Sequence, residues 1–206
     1  MNKKLQVAII GCGNISDMHI KGWKEAGANI IAVCDKYLSK AKFKSQFWGI
    51  PRYYDNIATM IEENILDVVS ICTPPQVRSE VIIPFIKEKV NILVEKPLAL
   101  SYDEAKKIVE LSEKHKVVLT VAHIWLFSHI MRKILKSIKK GKLGEIISVS
   151  IDLLHTPDEH MISNPNHWCH LLKGGRFAEL LPHPLYIIHA ILGNVKPESI
   201  IVSKVG

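Results

Sequence analysis

The sequence predicts an α/β chain in which a doubly wound, mostly parallel sheet is followed by a smaller, partial α+β domain. Three observations carry this. Six short apolar runs alternate with helical patterns before residue 122, the order that builds parallel strands through right-handed crossovers. The first run, Val7-Ala8-Ile9-Ile10, breaks into Gly11-Cys12-Gly13 and then a helix. The second, Asn29-Ile30-Ile31-Ala32-Val33-Cys34, ends in Asp35.

In the first unit, Gly11 lets the chain turn sharply off its strand. Gly13 leaves room for a pyrophosphate against backbone N–H groups at the positive end of the next helix. The candidate cradle is therefore Gly11, Cys12, Gly13, Asn14 and Ile15, with Ser16 at the third position of G-x-G-x-x-G, small enough to keep helix and sheet close. Ile15, His19, Gly22, Trp23 and Ala26 form one helical stripe ending near Gly27. Asp35 follows about twenty residues beyond the glycines, where a dinucleotide-binding fold holds the adenosine ribose. A carboxylate there accepts from ribose hydroxyls and repels a 2′-phosphate, so Asp35 favours NAD over NADP; the neighbouring Lys36 weakens that preference.

The remaining elements of this Rossmann-type unit follow in order. A lysine-rich helix spans Ser39 to Trp48, a third strand Pro51 to Tyr54, and a helix Ile57 to Glu63. The buried strand Leu66 to Cys72 stops at Thr73-Pro74-Pro75, where prolines cannot continue a ladder. A helix from about Arg78 to Glu88 leads to the strand Val90 to Val94 and then to Glu95-Lys96-Pro97. Ser101 with Glu104 is a capping-box pattern opening a helix that runs to about His115, and Val117 to Ala122 closes the set. Ligands of such sheets bind beyond the carboxyl ends of the strands. The Gly11 turn, Asp35, Thr73-Pro74-Pro75 and Lys96-Pro97 all lie there. Residues 1–122 thus read as an NAD(P)-binding domain, and 123–206 as a partial C-terminal substrate and oligomerisation domain.

Past residue 122 the pattern gives a helix over 128–141, a long strand Ile146 to Leu154, an irregular His-, Asn- and Pro-rich stretch, a helix Phe177 to Leu192 and a final strand Ser199 to Val205. Sheet edges with nothing after them to cover them predict a homo-oligomer formed through the C-terminal sheet.

The chain carries 48% hydrophobic residues and a formal charge of +7. The basic cluster Arg132, Lys133, Lys136, Lys139, Lys140 and Lys142 interleaves with Ile130, Ile134, Leu135 and Ile138 at helical spacing. That pattern describes the wet face of an amphipathic helix rather than a nucleic-acid surface, while a basic chain suits anionic cofactors and substrates. No apolar run reaches the length of a membrane span, and no signal peptide precedes the first strand. Cys12, Cys34, Cys72 and Cys169 form no C-x-x-C pair and read as thiols of a cytoplasmic chain. His155, His160, His167 and His170 crowd the irregular stretch, but no zinc-type spacing is present and no metal is expected.

Taken together, Gly11-x-Gly13, Asp35, Thr73-Pro74-Pro75, Glu95-Lys96-Pro97 and Gly174-Gly175 to His183 resemble the Gfo/Idh/MocA family, the Glu-Lys-Pro being the most specific element. Members of the family are longer than this chain. The resemblance implies that Lys96 lies beside the nicotinamide and the reacting hydroxyl, with Thr73, Pro74 and Glu95 in the same crevice. A lysine there can orient the oxygen and stabilise negative charge as the hydride leaves. The family's second motif sets an aspartate and, four residues on, a histidine after a glycine turn; here Glu179 and His183 occupy those places. An i, i+4 spacing puts both on one helical face, although Pro182 and Pro184 distort the turn. An imidazole with an unperturbed pKa near 6.5 suits the general base, and Glu179 would contact substrate or orient it.

Three departures bear on the substrate. His123-Ile124-Trp125-Leu126-Phe127 stands where Asn and Arg often occur, Arg78 where a histidine often follows, and Cys169 where arginine follows Trp168. The implied activity is hydride transfer between NAD(P) and a secondary hydroxyl of a sugar, cyclitol or related polyol. The alternatives are a non-catalytic dinucleotide-binding regulatory protein or inactive fragment, and an NAD-dependent redox-assisted glycosidase.

Overall fold

In the computed structural model, residues 3–154, 164–199 and 201 are described. The chain divides into two compact units, Met1–Ala122 and His123–Gly206. In the first unit, β1 (Gln6–Ile10), β2 (Asn29–Cys34), β3 (Arg52–Tyr54), β4 (Val68–Ile71), β5 (Asn91–Val94) and β6 (Leu119–Val121) alternate with α1 (Asn14–Glu25), α2 (Leu38–Trp48), α3 (Ile57–Glu63), α4 (Arg78–Lys87) and α5 (Tyr102–His115). All pairings are parallel, in the order β3-β2-β1-β4-β5-β6. The predicted doubly wound sheet is formed as expected.

Strand alternation divides the core. Val7 and Ile9 face one side with Val33, Ile20 of α1 and Ala41 of α2. Ala8 and Ile10 face the other, with Val69, Ile71 and Phe85, Ile82 and Ile86 of α4. Successive residues of a strand point to opposite faces, so a sheet covered on both sides needs the near-continuous apolar runs seen in the sequence. The strand order reverses at β1 and β4, and the crevice beyond their carboxyl ends is where ligands of such sheets bind.

Gly11 sits at that reversal with φ +89°. A Cβ built there would lie 3.0 Å from the Cys72 carbonyl carbon and 3.0 Å from the Thr73 nitrogen. Both the left-handed backbone and the close approach of the Cys72-Thr73 backbone, just past β4, therefore require glycine. Gly11→Ala is expected to destabilise the chain by about 2 kcal/mol or more, read by urea unfolding.

The capping box at Ser101 forms by half. Ser101 Oγ accepts the Glu104 N–H at 3.2 Å, but the Glu104 carboxylate accepts from the Leu100 N–H and from the Ser79 hydroxyl.

The second unit departs further from expectation. Its described elements are 3-10 turns at Ile124–Phe127 and Trp168–Leu171, with α6 (His129–Lys139), α7 (Gly175–Leu180) and α8 (Pro182–Leu192). The predicted strand Ile146 to Leu154 joins no ladder. Among the described residues of this unit no strand is present. A β-rich sequence becomes a strand only where another segment pairs with it. Most of the predicted final strand, Ser199 to Val205, lies outside the described residues, as do His155 and His160. The apolar stripe of α6 is covered only in part among the described residues: Ile130 is 72% exposed, while Leu135 and Ile138 are half-buried.

The single helix predicted over Phe177 to Leu192 is two. Pro182 and Pro184 carry no N–H for the carbonyls of Ala178 and Leu180, and Pro182 opens α8 although Leu181 keeps helical angles, φ −52° and ψ −34°. Glu179 and His183 accordingly lie on consecutive helices joined through Leu181.

Candidate functional site

The glycine turn delivers a helix start that can receive an anion. Gly13 is the N-cap of α1 in extended conformation, φ −74° and ψ −174°, and no side chain caps the first turn. The opening N–H groups, those of Asn14 and Ile15 among them, have no acceptor within a helix, and the dipole makes that end positive. Apart from its chain neighbours, no described atom lies within 4 Å of a Cβ built on Gly13, so packing does not require glycine there. Ser16 is fully buried and its hydroxyl donates to the Gly13 carbonyl at 2.5 Å.

An acid in the first turn would oppose anion binding, and Asp17 is that acid. Its Oδ1 accepts from Lys44 Nζ and from Trp48 Nε1, each at 2.6 Å. Burial works against its ionisation, but these bonds outweigh it and hold the carboxyl below the usual range. Lys44, only 6% exposed, also reaches the Gly13 carbonyl at 3.5 Å. The lysine-rich helix thus turns one lysine inward to neutralise the acid beside the cradle, a role hidden in a pattern that resembles a solvated face.

Asp35 is anchored from both sides. The Cys12 N–H donates to Oδ2 at 2.8 Å and the Tyr37 N–H to Oδ1 at 2.9 Å. Each carboxylate oxygen keeps lone-pair capacity for a further donor such as a ribose hydroxyl. Cys12 therefore serves the cradle by aiming Asp35, its amide being committed there. The ammonium groups of Lys36 and Lys40 lie over the Tyr37 ring, 4.9 and 5.1 Å from its centroid, beside this acid. Burial and the nearby Asp35 push the Cys12 thiol up to about 12, and Cys34 likewise to about 12, so both stay protonated and unreactive.

Thr73, Pro74, Glu95 and Lys96 stand at the ends of β4 and β5. Thr73 Oγ1 is buried with no hydrogen-bond partner among the described residues. Arg78, 2% exposed, closes this corner: it donates to the carbonyl of Glu95 at 2.6 Å and to the carbonyls of Pro97 and Thr73. Glu95 Oε1 lies 3.1 Å from His19 Nε2, and Oε2 accepts the Lys96 N–H at 3.1 Å. His19 Nδ1 lies 2.7 Å from Ser70 Oγ. Burial disfavours the Glu95 charge, yet the His19 bond, with His19, Lys96 and Arg78 around it, lowers its pKa below the ordinary value.

A depressed folded-state pKa adds stability above the ordinary carboxyl range, about 4.3, and that stability is lost as pH falls through the depressed value. The melting temperature is accordingly expected to be flat from pH 7 to about 5 and to fall below, with a shallower fall in Glu95→Gln; thermal melts across pH check it.

In the second unit, His183 is buried, stacks on Trp125 with centroids 4.2 Å apart, and places Nδ1 2.7 Å from the Tyr186 hydroxyl. That hydroxyl also accepts the Trp125 N–H at 3.3 Å, and His123 stacks on the Tyr186 ring at 4.3 Å. Within the 123–127 segment, Trp125 thus packs directly on the histidine and His123 packs on its partner Tyr186. Sequence reasoning missed Tyr186, whose signal was its place three residues beyond His183 on a helix. Glu179 is buried in α7 and, with Arg176, acts electrostatically on the Cys169 thiol. Among the described residues no group of three or more His, Cys, Asp or Glu side chains is placed to hold a metal ion.

A parallel sheet with this strand order, a glycine turn into an uncapped helix and an acid fixed at the next strand end define a dinucleotide-binding α/β domain. The chain belongs to the Gfo/Idh/MocA family, described as an oxidoreductase family with an NAD-binding Rossmann fold, which matches residues 5–123. It is 25% identical over 202 residues to Oxidoreductase P35 of Formosa agariphila, covering 95% of this chain and 63% of that protein. It is 24% identical over 194 residues to myo-inositol 2-dehydrogenase of Thermotoga maritima, covering 92% and 55%. The fold is shared, with a TM-score of 0.81 at 20% identity, with the crystal structure of the WlbA dehydrogenase from Bordetella pertussis in complex with NADH and UDP-GlcNAcA, over 93% of this chain and 59% of that one. The chain therefore spans 55 to 63% of the length of these two curated relatives. Among the described residues no helix is long and apolar enough to cross a membrane.

Proposed function

We propose that the chain binds NAD at the first unit's strand ends and takes part in hydride transfer from a secondary hydroxyl of a sugar, cyclitol or related polyol. The observation that carries this reading is topological: Lys96 follows β5, in the same sheet and at the same end as the Gly11 turn and the anchored Asp35. Similarity to a myo-inositol dehydrogenase supports the substrate class. The Gly13 amide with those of Asn14 and Ile15 receives the pyrophosphate, Asp35 the adenosine ribose, and Thr73 with Pro74 borders the nicotinamide end. NAD, when bound, supplies the hydride acceptor. Lys96 orients the substrate oxygen and stabilises its developing charge. His183, engaged at Nδ1 by Tyr186, takes the hydroxyl proton at Nε2, and Glu179 contacts substrate or steadies the imidazole.

Asp35 makes NAD the preferred cofactor, with Lys36 and Lys40 moderating the exclusion of a 2′-phosphate. Asp35→Ser is expected to weaken NADH about tenfold while changing NADPH little, as read by parallel titrations. The reading as a whole is tested by following reduction of NAD at 340 nm with a panel of polyols and sugars. Lys96→Ala and His183→Gln should each lower kcat by about 100-fold or more. Turnover unchanged in Lys96→Ala would overturn the assignment. One observation favours a second reading, a non-catalytic dinucleotide-binding protein: His123 and Trp125 are spent on ring stacking where the family often carries polar side chains. NADH binding with no turnover across the panel would decide for it.

A further inference from the structure

We propose that His19 is a positioning residue for Lys96, acting through the carboxylate of Glu95; the inference rests on the reading of Lys96 as the group beside the reacting carbon. The path is short and nearly dry. The side chains of His19 and Glu95 are 8% and 11% exposed. The two Glu95 oxygens serve different tasks, Oε1 meeting His19 Nε2 at 3.1 Å and Oε2 accepting the Lys96 N–H at 3.1 Å. Ser70 Oγ, 2.7 Å from His19 Nδ1, holds the ring from its other side.

Arg78 completes the mount by bonding the carbonyls of Glu95 and Pro97, the residues on either side of Lys96. The backbone from which the Lys96 side chain springs is thus fixed at its own N–H and at both flanking carbonyls. The charged and titratable groups around Glu95 are His19 from α1, Arg78 from α4, Cys72 at the end of β4, and Lys96 itself.

A purely structural site would not need these groups. An apolar pair of the same volume fills a core without the cost of burying a carboxylate. The bonds made by the charge indicate its task, and one of them ends on Lys96. His19 also belongs to α1, whose N terminus forms the cradle, so a single helix fixes both the anion site and the support of Lys96.

The test uses the full 206-residue chain with its lysines reductively methylated by ¹³C-formaldehyde, the Lys96 signal being assigned by its loss in Lys96→Arg. In the wild type, Lys96 is expected to give a resolved signal displaced from those of exposed lysines. His19→Leu should move it to within the exposed-lysine envelope, and His19→Gln, which keeps an N–H for Glu95, should restore at least half of the displacement. If His19→Leu does not fold, Glu95→Gln carries the same comparison, with the same loss of displacement expected. A folded His19→Leu or Glu95→Gln chain whose Lys96 signal keeps its wild-type position overturns the proposal. Adding NADH to the wild type tests the underlying reading separately: a Lys96 signal that ignores saturating NADH removes Lys96 from the nicotinamide, whatever the His19 variants show.

Discussion

Gly13→Asp is expected to abolish NADH binding while leaving the chain as stable as before. The backbone at this position, φ −74° and ψ −174°, is open to any L-residue, and a Cβ meets nothing within 4 Å. An aspartate in the N-cap position of α1 can accept from the first-turn N–H groups, so unfolding free energy should be unchanged or raised by a few tenths of a kcal/mol. The same carboxylate occupies the donors and carries the charge of the pyrophosphate it displaces. Affinity should fall at least about 100-fold, equivalent to about 2.7 kcal/mol. Melting and titration of one sample separate the two effects. The contrast with Gly11→Ala is built into the geometry: there the Cys72-Thr73 backbone rejects a side chain, whereas at Gly13 only the ligand would.

Arg78→Met should produce a large loss of stability in the first unit. Arg78 is 2% exposed, and its guanidinium bonds the carbonyls of Thr73, Glu95 and Pro97. Methionine fills much of the volume but donates nothing, leaving three carbonyls and the Glu95 carboxylate without this partner. Removing one side of such a buried arrangement costs about 3–5 kcal/mol, and the melting temperature should drop by roughly 15 °C. Arg78→Lys should recover only part of this, since one ammonium cannot span three acceptors as a planar fork does. A melting temperature within a few degrees of wild type in Arg78→Met would remove the clamp from the account.

The first unit was legible because its signals are local. A glycine pair after an apolar strand, an acid at the end of the next strand and prolines stopping another are each written in adjacent residues, and each lies where expected. The supports of these groups were not legible, because their partners are distant in sequence. Lys44 is one of several lysines in a lysine-rich helix, and its partner Asp17 lies 27 residues away in sequence. Arg78 looked like a departure from a family pattern, and His19 like a stripe residue of α1, yet both converge on Glu95. In the second unit the expectation of strands failed over Ile146 to Leu154, where β-forming residues meet no described partner strand. The same segment-level logic missed the break at Pro182, since helical angles persist through Leu181 and only the missing N–H ends the hydrogen-bond series.

The central claim is that the first unit holds a dinucleotide against the α1 N terminus and Asp35. Titrating NADH into the purified chain, with energy transfer from tryptophan to the reduced nicotinamide as the signal, tests it directly. Saturable binding in the micromolar range, weakened about tenfold in Asp35→Ala and lost in Gly13→Asp, is the predicted result. A chain shown to be folded by its melting transition that does not saturate with NADH up to about 1 mM would contradict it.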